Sequence, residues 1–224
     1  MAKKSKFPQL VTKPGTAKWP HLVTPDTTFN KKGVYTTKLI WEPEEFEKME
    51  LKAIIDQLTN EKYDDVVDGL KPKQIERVFK QFPYGDDLND EKEETGKTYV
   101  QFKSNASFEK DGETINLKPI LFDAAGNQIK RRINIGNGSV LCIKTTIKPY
   151  AMESEAVVDG KKQKIKNIGV TLYIGAVQIR ELVEYGADAA QMGFDTDGEA
   201  LAGGDDQEFA PGDETPAEDG DGDF

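Results

Sequence analysis

The chain has 224 residues and a formal net charge of −10, and that charge is unevenly distributed. Residues 186–224 contain thirteen acids and no Lys or Arg, so this segment carries −13 and residues 1–185 carry +3. No stretch approaches the roughly 18 continuous apolar residues of a transmembrane helix, and one cysteine with one histidine argues against disulfide frameworks, cysteine-rich zinc modules and multi-histidine sites.

The first part of the chain is basic and rich in proline. Residues 1–32 contain many lysines, one acid (Asp26) and prolines at regular intervals. Proline opposes helix formation and favours extended backbone, so we expect a basic extended arm over residues 1–32. Residues 33–41 are rich in β-branched and aromatic side chains and predict the first strand of a domain over residues 33–185.

An acidic insert follows this strand. Pro43 followed by two glutamates is typical of a helix start, and apolar residues at spacings of three and four predict a helix over about 43–60. A second acidic helical stretch is expected to about residue 80. Residues 39–98 contain 17 acids and 9 bases, so we expect the helical insert, about 43–97, to face away from any polyanion.

Alternating patterns after the insert predict a β-rich region. Residues 98–108, 115–122, 139–150 and 168–183 read as strands, and Asp111-Gly112 is a two-residue hairpin signal. About five strands with one helical insertion fit a small closed barrel better than a sandwich. We therefore expect a mainly β fold, a five-stranded oligonucleotide-binding (OB) barrel.

Lysines and tyrosines alternate on the predicted outer face of this barrel. Cations neutralise phosphates, and exposed rings stack on bases with about 1–3 kcal/mol each. For any one pair, solvation of a strand face is a sufficient explanation, but pairs on three strands favour single-stranded nucleic acid. Arg131 and the run of lysines from 161 to 166 fit either phosphate contact or a solvated turn. The pairs are Tyr35 with Lys32 and Lys38, Tyr99 with Lys103, and Tyr150 with Lys144 and Lys148.

The acidic segment over residues 186–224 has the composition of a disordered tail. A solubility tail is the simplest interpretation. However, the chain ends with Phe224 after alternating Asp and Gly, including Asp221 and Asp223. An acidic linker ending in an aromatic ring resembles a peptide ligand for a basic apolar pocket, or a phosphate mimic for the protein's own cationic groove.

Several segments, taken in order, resemble the single-stranded DNA-binding proteins of tailed bacteriophages, especially the short-tailed ones. No single motif is specific, and the acidic segment 151–155 departs from the family pattern. The matching segments are the basic start at residues 1–4, Gly33-Val34-Tyr35, Phe102-Lys103, Ala106-Ser107-Phe108, Ile115-Asn116-Leu117, Gly138-Ser139, Lys144, Pro149-Tyr150 and the ending at residues 221–224.

The resemblance implies an OB-fold protein that coats and protects single-stranded DNA during phage replication, recombination and repair. It implies that the acidic tail recruits the replicative polymerase and helicase-primase through Asp221, Asp223 and Phe224, in the cytoplasm of the infected bacterium. It leaves a homodimer open, and it implies no catalytic residue, metal site or cofactor. The expected DNA-binding residues are Lys3, Lys32, Tyr35, Tyr99, Lys103, Arg131, Lys144, Lys148 and Tyr150.

Two other functions compete with DNA coating. An acidic DNA mimic that inhibits nucleases would need its acids on a folded surface, whereas here they lie mainly in the tail and the insert. A magnesium-dependent nuclease would use carboxylates such as Asp64, Asp65 and Asp68, but these acids lie on a predicted exposed helix without a matching base.

Overall fold

A computed structural model describes residues 7–110, 112–131, 133–158 and 161–184. Within these ranges the protein is mainly β, as expected, and no helix there is long and apolar enough to cross a membrane. The elements are β1 (Gln9–Val11), β2 (Gly15–Asp26), β3 (Val34–Trp41), α1 (Pro43–Glu47), α2 (Glu50–Val67), α3 (Pro72–Ile75), β4 (Val78–Gln81), β5 (Tyr84–Leu88), β6 (Glu94–Asn105), β7 (Ser107–Lys110), β8 (Glu113–Asn116), β9 (Ile120–Phe122), β10 (Val140–Val158) and β11 (Lys161–Glu181).

Nine of these strands form one sheet in the order β4-β11-β10-β2-β3-β6-β5, with β1 paired to β10 and β9 paired to β11. Strands β4 and β9 run parallel to β11, and the other pairs are antiparallel. Strands β7 and β8 form a separate hairpin, in which Lys110 pairs with Glu113 and Gly112 has a φ of +84°. The predicted turn at this position is therefore correct.

The expected closed barrel of five strands is wrong, because the sheet has more strands and is not closed by a backbone ladder. Short strands β4 and β9 occupy two parts of the outer edge of β11. Between them, one side chain of β6 forms hydrogen bonds with the backbone of β11. The Ser104 hydroxyl accepts a hydrogen bond from the Ile174 N–H (2.7 Å) and donates one to the Ile174 carbonyl (3.2 Å). We call this contact the seam.

The N-terminal segment belongs to the sheet and is not a separate arm. Residues 9–26 form β1 and β2, which pair with β10 and β3. The domain therefore begins well before residue 33. Proline is compatible with this because Pro14 lies between the two strands and Pro20 lies where the register between β2 and β3 shifts.

The insert differs from the expected helix over about 43–60 and second helical stretch to about residue 80. Met49 adopts extended backbone (φ −81°, ψ 139°) and is buried, which separates α1 from α2. Helix α2 extends further than predicted and packs Leu51, Ile55 and Thr59 toward the sheet. The end of the insert is β structure, because β4 and β5 pair with β11 and β6.

The long hairpin of β10 and β11 continues beyond Tyr150, where the predicted strand over residues 139–150 ended. The register pairs Val158 with Lys161 at its far end. Gly175 has no partner in the register, since Lys144 pairs with Ala176 and Thr145 with Ile174. Gly175 is therefore the extra residue of a β-bulge in β11.

Candidate nucleic-acid interface

A groove lies beside the seam, where β6 and β11 diverge. The segment between β4 and β5 forms its rim. Three side chains expected to contact DNA, Tyr99, Lys103 and Tyr150, line this groove together. The complete lining is Lys38, Gln81, Phe82, Pro83, Tyr99, Gln101, Lys103, Tyr150, Val170, Thr171 and Leu172.

The Tyr150 ring has room in the groove because the residue opposite it, Gly169, has no side chain. Tyr150 pairs with Gly169 across the hairpin, and a Cβ at Gly169 would lie 2.9 Å from the Tyr150 hydroxyl oxygen and even closer to the Gln81 carbonyl. Glycine therefore admits both the ring and strand β4 at this point. Partial burial raises the pKa of Tyr150, so its hydroxyl stays neutral at physiological pH.

Phe82 on the rim is connected to the core through aromatic contacts. Its ring lies 5.2 Å from the ring of Tyr84, which lies 5.1 Å from that of buried Phe46. The Tyr84 hydroxyl donates to Asp56 of α2 at 2.6 Å. Burial, followed by this hydrogen bond, raises the pKa of Tyr84. The helical insert thus supports one wall of the groove, and its residues 81–83 lie in the lining, whereas we expected the insert to face away from any polyanion.

The groove contains positive charge without paired carboxylates. Lys38 and Lys103 form no ion pair with any residue that the structure describes. The Lys38 ammonium lies 3.8 Å from the Tyr99 ring centroid, a cation–π contact. Burial, and then repulsion from Lys18, lowers the pKa of Lys38, while Asp87 partly opposes this shift. A bound anion near Lys38 would stabilise its ammonium and so offset both the burial and the repulsion from Lys18.

The outer face of β10 extends the basic surface away from the groove. Lys148 is exposed, two residues before Tyr150 and on the same face. Its ammonium lies 4.8 Å from the Tyr173 ring centroid and 5.5 Å from that of Phe7. Lys144 is exposed further along the same strand. The two lysines and the Tyr173 ring form a second aromatic and basic surface.

Other expected DNA contacts lie elsewhere. Lys32 is exposed and its ammonium is 2.6 Å from the Glu109 carboxylate. Arg131 lines a different depression, with Lys118 and Lys130. Lys3, Asp221, Asp223 and Phe224 lie outside the described residues.

The expectation that Tyr35 contacts DNA is corrected by the structure, because the Tyr35 side chain is buried in the core. Burial alternates along β3, so Tyr35, Thr37 and Leu39 point inward while Thr36 and Lys38 point outward. Burial also raises the pKa of Tyr35. A ring in this position is not accessible to a base. The same alternation points Lys38 outward, as the sequence analysis placed it, although Lys38 was not among the expected DNA-binding residues.

Comparisons of the whole sequence identify related proteins. The family model for the single-stranded DNA-binding protein of bacteriophage T7 matches residues 16–172. The single-stranded DNA-binding protein of Enterobacteria phage T3 is 27% identical over 210 residues, which cover 87% of this chain and 85% of that protein.

A solved structure from bacteriophage T7 shows a shared fold. The crystal structure of gp2.5, a single-stranded DNA-binding protein encoded by bacteriophage T7, matches with a TM-score of 0.60 at 20% identity and covers 88% of this chain and 100% of that chain. A single-stranded DNA-binding protein from bacteriophage Enc34, in complex with single-stranded DNA, matches with a TM-score of 0.48 at 15% identity and covers 82% of this chain and 95% of that chain. Because the family model spans more than half of the sequence, the chain belongs to the bacteriophage T7 family of single-stranded DNA-binding proteins, which are not enzymes.

Proposed function

We propose that this protein coats and protects single-stranded DNA in the cytoplasm of an infected bacterium, without sequence preference, during phage replication and recombination. One observation carries the proposal: three aromatic rings and two unpaired lysines line one groove. Every base offers a ring face for stacking, and every nucleotide offers a phosphate, so this lining does not discriminate between sequences. The arrangement of five long strands, β2, β3, β6, β10 and β11, supports an OB-type platform for that groove.

Binding is tested by fluorescence anisotropy of labelled oligo-dT across a salt series. We expect salt-sensitive binding, because displaced counterions make affinity fall as salt rises. A duplex of mixed sequence and an oligo-dA serve as controls for strandedness and base preference. Absence of oligo-dT binding at low salt would overturn the proposal and would favour the acidic DNA mimic.

We also propose that residues 186–224 compete with DNA for the cationic surface and recruit replication proteins, namely the replicative polymerase and helicase-primase. The support is charge: this segment carries −13 and the remainder of the chain carries +3. Truncation after residue 185 should tighten oligo-dT binding, most strongly at low salt, where electrostatic competition is least screened. Unchanged affinity after truncation would show that residues 186–224 do not compete with DNA.

Recruitment is tested with a pull-down of the purified replicative polymerase. Deletion of Phe224 should abolish the interaction and leave oligo-dT binding intact. Phe209→Ala, a substitution of another aromatic residue in the same acidic segment, is the matched control and should have no effect. Polymerase retained after deletion of Phe224 would exclude the terminal ring as the anchor.

A further inference from the structure

Trp19 has an unusual conformation for a large side chain. Its φ is +50° and its side chain is 51% exposed. Positive φ is rare for residues with a bulky side chain and marks positions whose conformation the surroundings impose. The register of β2 against β3 pairs Lys18 with Lys38 and His21 with Thr36, so β2 has one extra residue here. Such a bulge redirects a side chain, and it turns Trp19 out of the sheet.

A hydrogen bond holds this bulge in place. The Trp19 N–H donates to the Asn137 side-chain oxygen at 2.6 Å. Asn137 lies in the turn before β10, so the bulge is fixed to a second part of the fold. The ring is therefore presented from a rigid position rather than from a free loop.

Trp19 and the groove share a lysine. The Lys38 ammonium lies 5.0 Å from the Trp19 ring and 3.8 Å from the Tyr99 ring centroid, so the two rings are within about 9 Å of each other. The Lys18 ammonium also lies 5.0 Å from the Trp19 ring, but Asp87 neutralises it at 2.8 Å. Lys38 thus places an unpaired positive charge between two accessible rings.

We propose that Trp19 is a second base-stacking platform, which extends the DNA path from the groove across β3 to β2. A phosphate at Lys38 would join a base on Tyr99 to a base on Trp19. This inference rests on the proposed DNA binding and adds a site to it. A nucleic-acid base fits better than an apolar protein segment because lysines border the ring and Lys38 has no paired carboxylate.

Tryptophan fluorescence tests this site directly. The chain has two tryptophans, and Trp41 is 4% exposed with its indole N–H bonded to the Pro14 carbonyl at 2.7 Å. Base stacking on Trp19 should quench the emission of the full-length protein during an oligo-dT titration, with the same midpoint as the anisotropy. Trp19→Phe retains only Trp41 and should bind oligo-dT without quenching.

Affinity provides a second readout. Trp19→Ala should weaken binding of a long oligo-dT by about tenfold, as expected for the loss of one stacked base. Phe108→Ala removes another exposed aromatic ring, which lies on β7 outside the groove, and should leave affinity unchanged.

The outcomes separate the two proposals. Normal anisotropy with no quenching of the wild type, or equal quenching of the wild type and Trp19→Phe, would overturn the platform and leave DNA binding in the groove intact. If the emission changes on truncation after residue 185 but not on addition of DNA, the Trp19 ring contacts the tail and not a base. That result would also overturn the platform. Loss of oligo-dT binding by the wild type would instead overturn the proposed function.

Discussion

The groove and the far end of the β10–β11 hairpin are both lysine-rich, yet their charges are arranged differently. In the hairpin, Glu153 opposes Lys166, with 3.8 Å between their charged groups, and Glu155 opposes Lys164. In the groove, Lys38 and Lys103 have no paired carboxylate among the described residues. Lysine density along the sequence is therefore a poor guide to a phosphate site, whereas the cross-strand neighbour of each lysine is informative.

The largest effect is expected where the groove depends on a missing side chain. Gly169→Ala would place a Cβ against the Gln81 carbonyl and the Tyr150 hydroxyl. We expect the affinity for oligo-dT to fall by more than it would on removing the Tyr99 ring or the Tyr150 ring alone. We also expect the free energy of unfolding to fall by about 1–3 kcal/mol, because the added methyl group overpacks the site. Anisotropy and urea unfolding measure these effects. Gly175→Ala on the same strand, where a Cβ would lie at an ordinary 3.4 Å, is the control.

Removal of a groove ring should have the next largest effect. Tyr99→Ala should weaken oligo-dT binding by about 1–3 kcal/mol, because a stacked base loses its platform. The slope of affinity against salt should stay nearly constant, since no phosphate contact is lost. Tyr99→Phe is the matched control and should bind nearly as well as the wild type. A Tyr99→Ala protein with normal affinity would contradict the assignment of the groove.

Charge removal compares the two regions directly. Lys103→Gln should reduce the salt slope by about 0.7, the value for one phosphate contact on a single strand. Lys164→Gln, at the far end of the hairpin, should leave the slope unchanged. Equal changes in the two variants would show that cross-strand pairing does not decide which lysine contacts DNA.

The lowered pKa of Lys38 predicts a pH dependence. Because the phosphate contact requires the ammonium, affinity for oligo-dT should fall as pH rises through the lowered pKa of Lys38, before other lysines deprotonate. Lys38→Arg keeps its charge in this range and should remove that fall. The free protein behaves oppositely: its stability should rise with pH between this lowered value and the ordinary lysine pKa, since the unfolded chain binds the proton more tightly there. Anisotropy and urea unfolding across alkaline pH test both signs.

The smallest effect is expected at an ion pair exposed to solvent. Lys32→Gln breaks the pair with Glu109, but both side chains are more than half exposed. Exposed ion pairs are screened by water and contribute little, so the midpoint of urea unfolding should stay nearly unchanged. A clear fall in this midpoint would show that the pair fixes the segment before β3 against the β7–β8 hairpin.

Local patterns were sufficient to predict four of the five long strands (β3, β6, β10 and β11), the start of α1 and the turn before β8. They also predicted three members of the groove, because Tyr99 and Lys103 share the outward phase of β6 and Tyr150 has the outward phase of β10. The wrong phase along β3 explains the misplacement of Tyr35.

The other misses depend on long-range structure that no local pattern contains. Phe82 reaches the groove because β4 pairs in parallel with β11, far along the chain. Trp19 is exposed because of a bulge, which breaks the alternation on which the sequence analysis relied. The prolines around β2 favoured an extended arm, because the sequence alone does not show the strand end and the bulge that accommodate them.

The seam at Ser104 has a consequence for how the sheet opens. A single hydroxyl satisfies both backbone groups of Ile174, in a place where a backbone ladder would use several residues. Breaking this contact costs two hydrogen bonds, whereas separating β11 from β10 costs an entire ladder. The Ile174 amide is therefore expected to exchange with deuterium faster than the amides of β11 that bond to β10. Because the groove lies beside this seam, the same local opening would widen the groove that we propose as the path of single-stranded DNA.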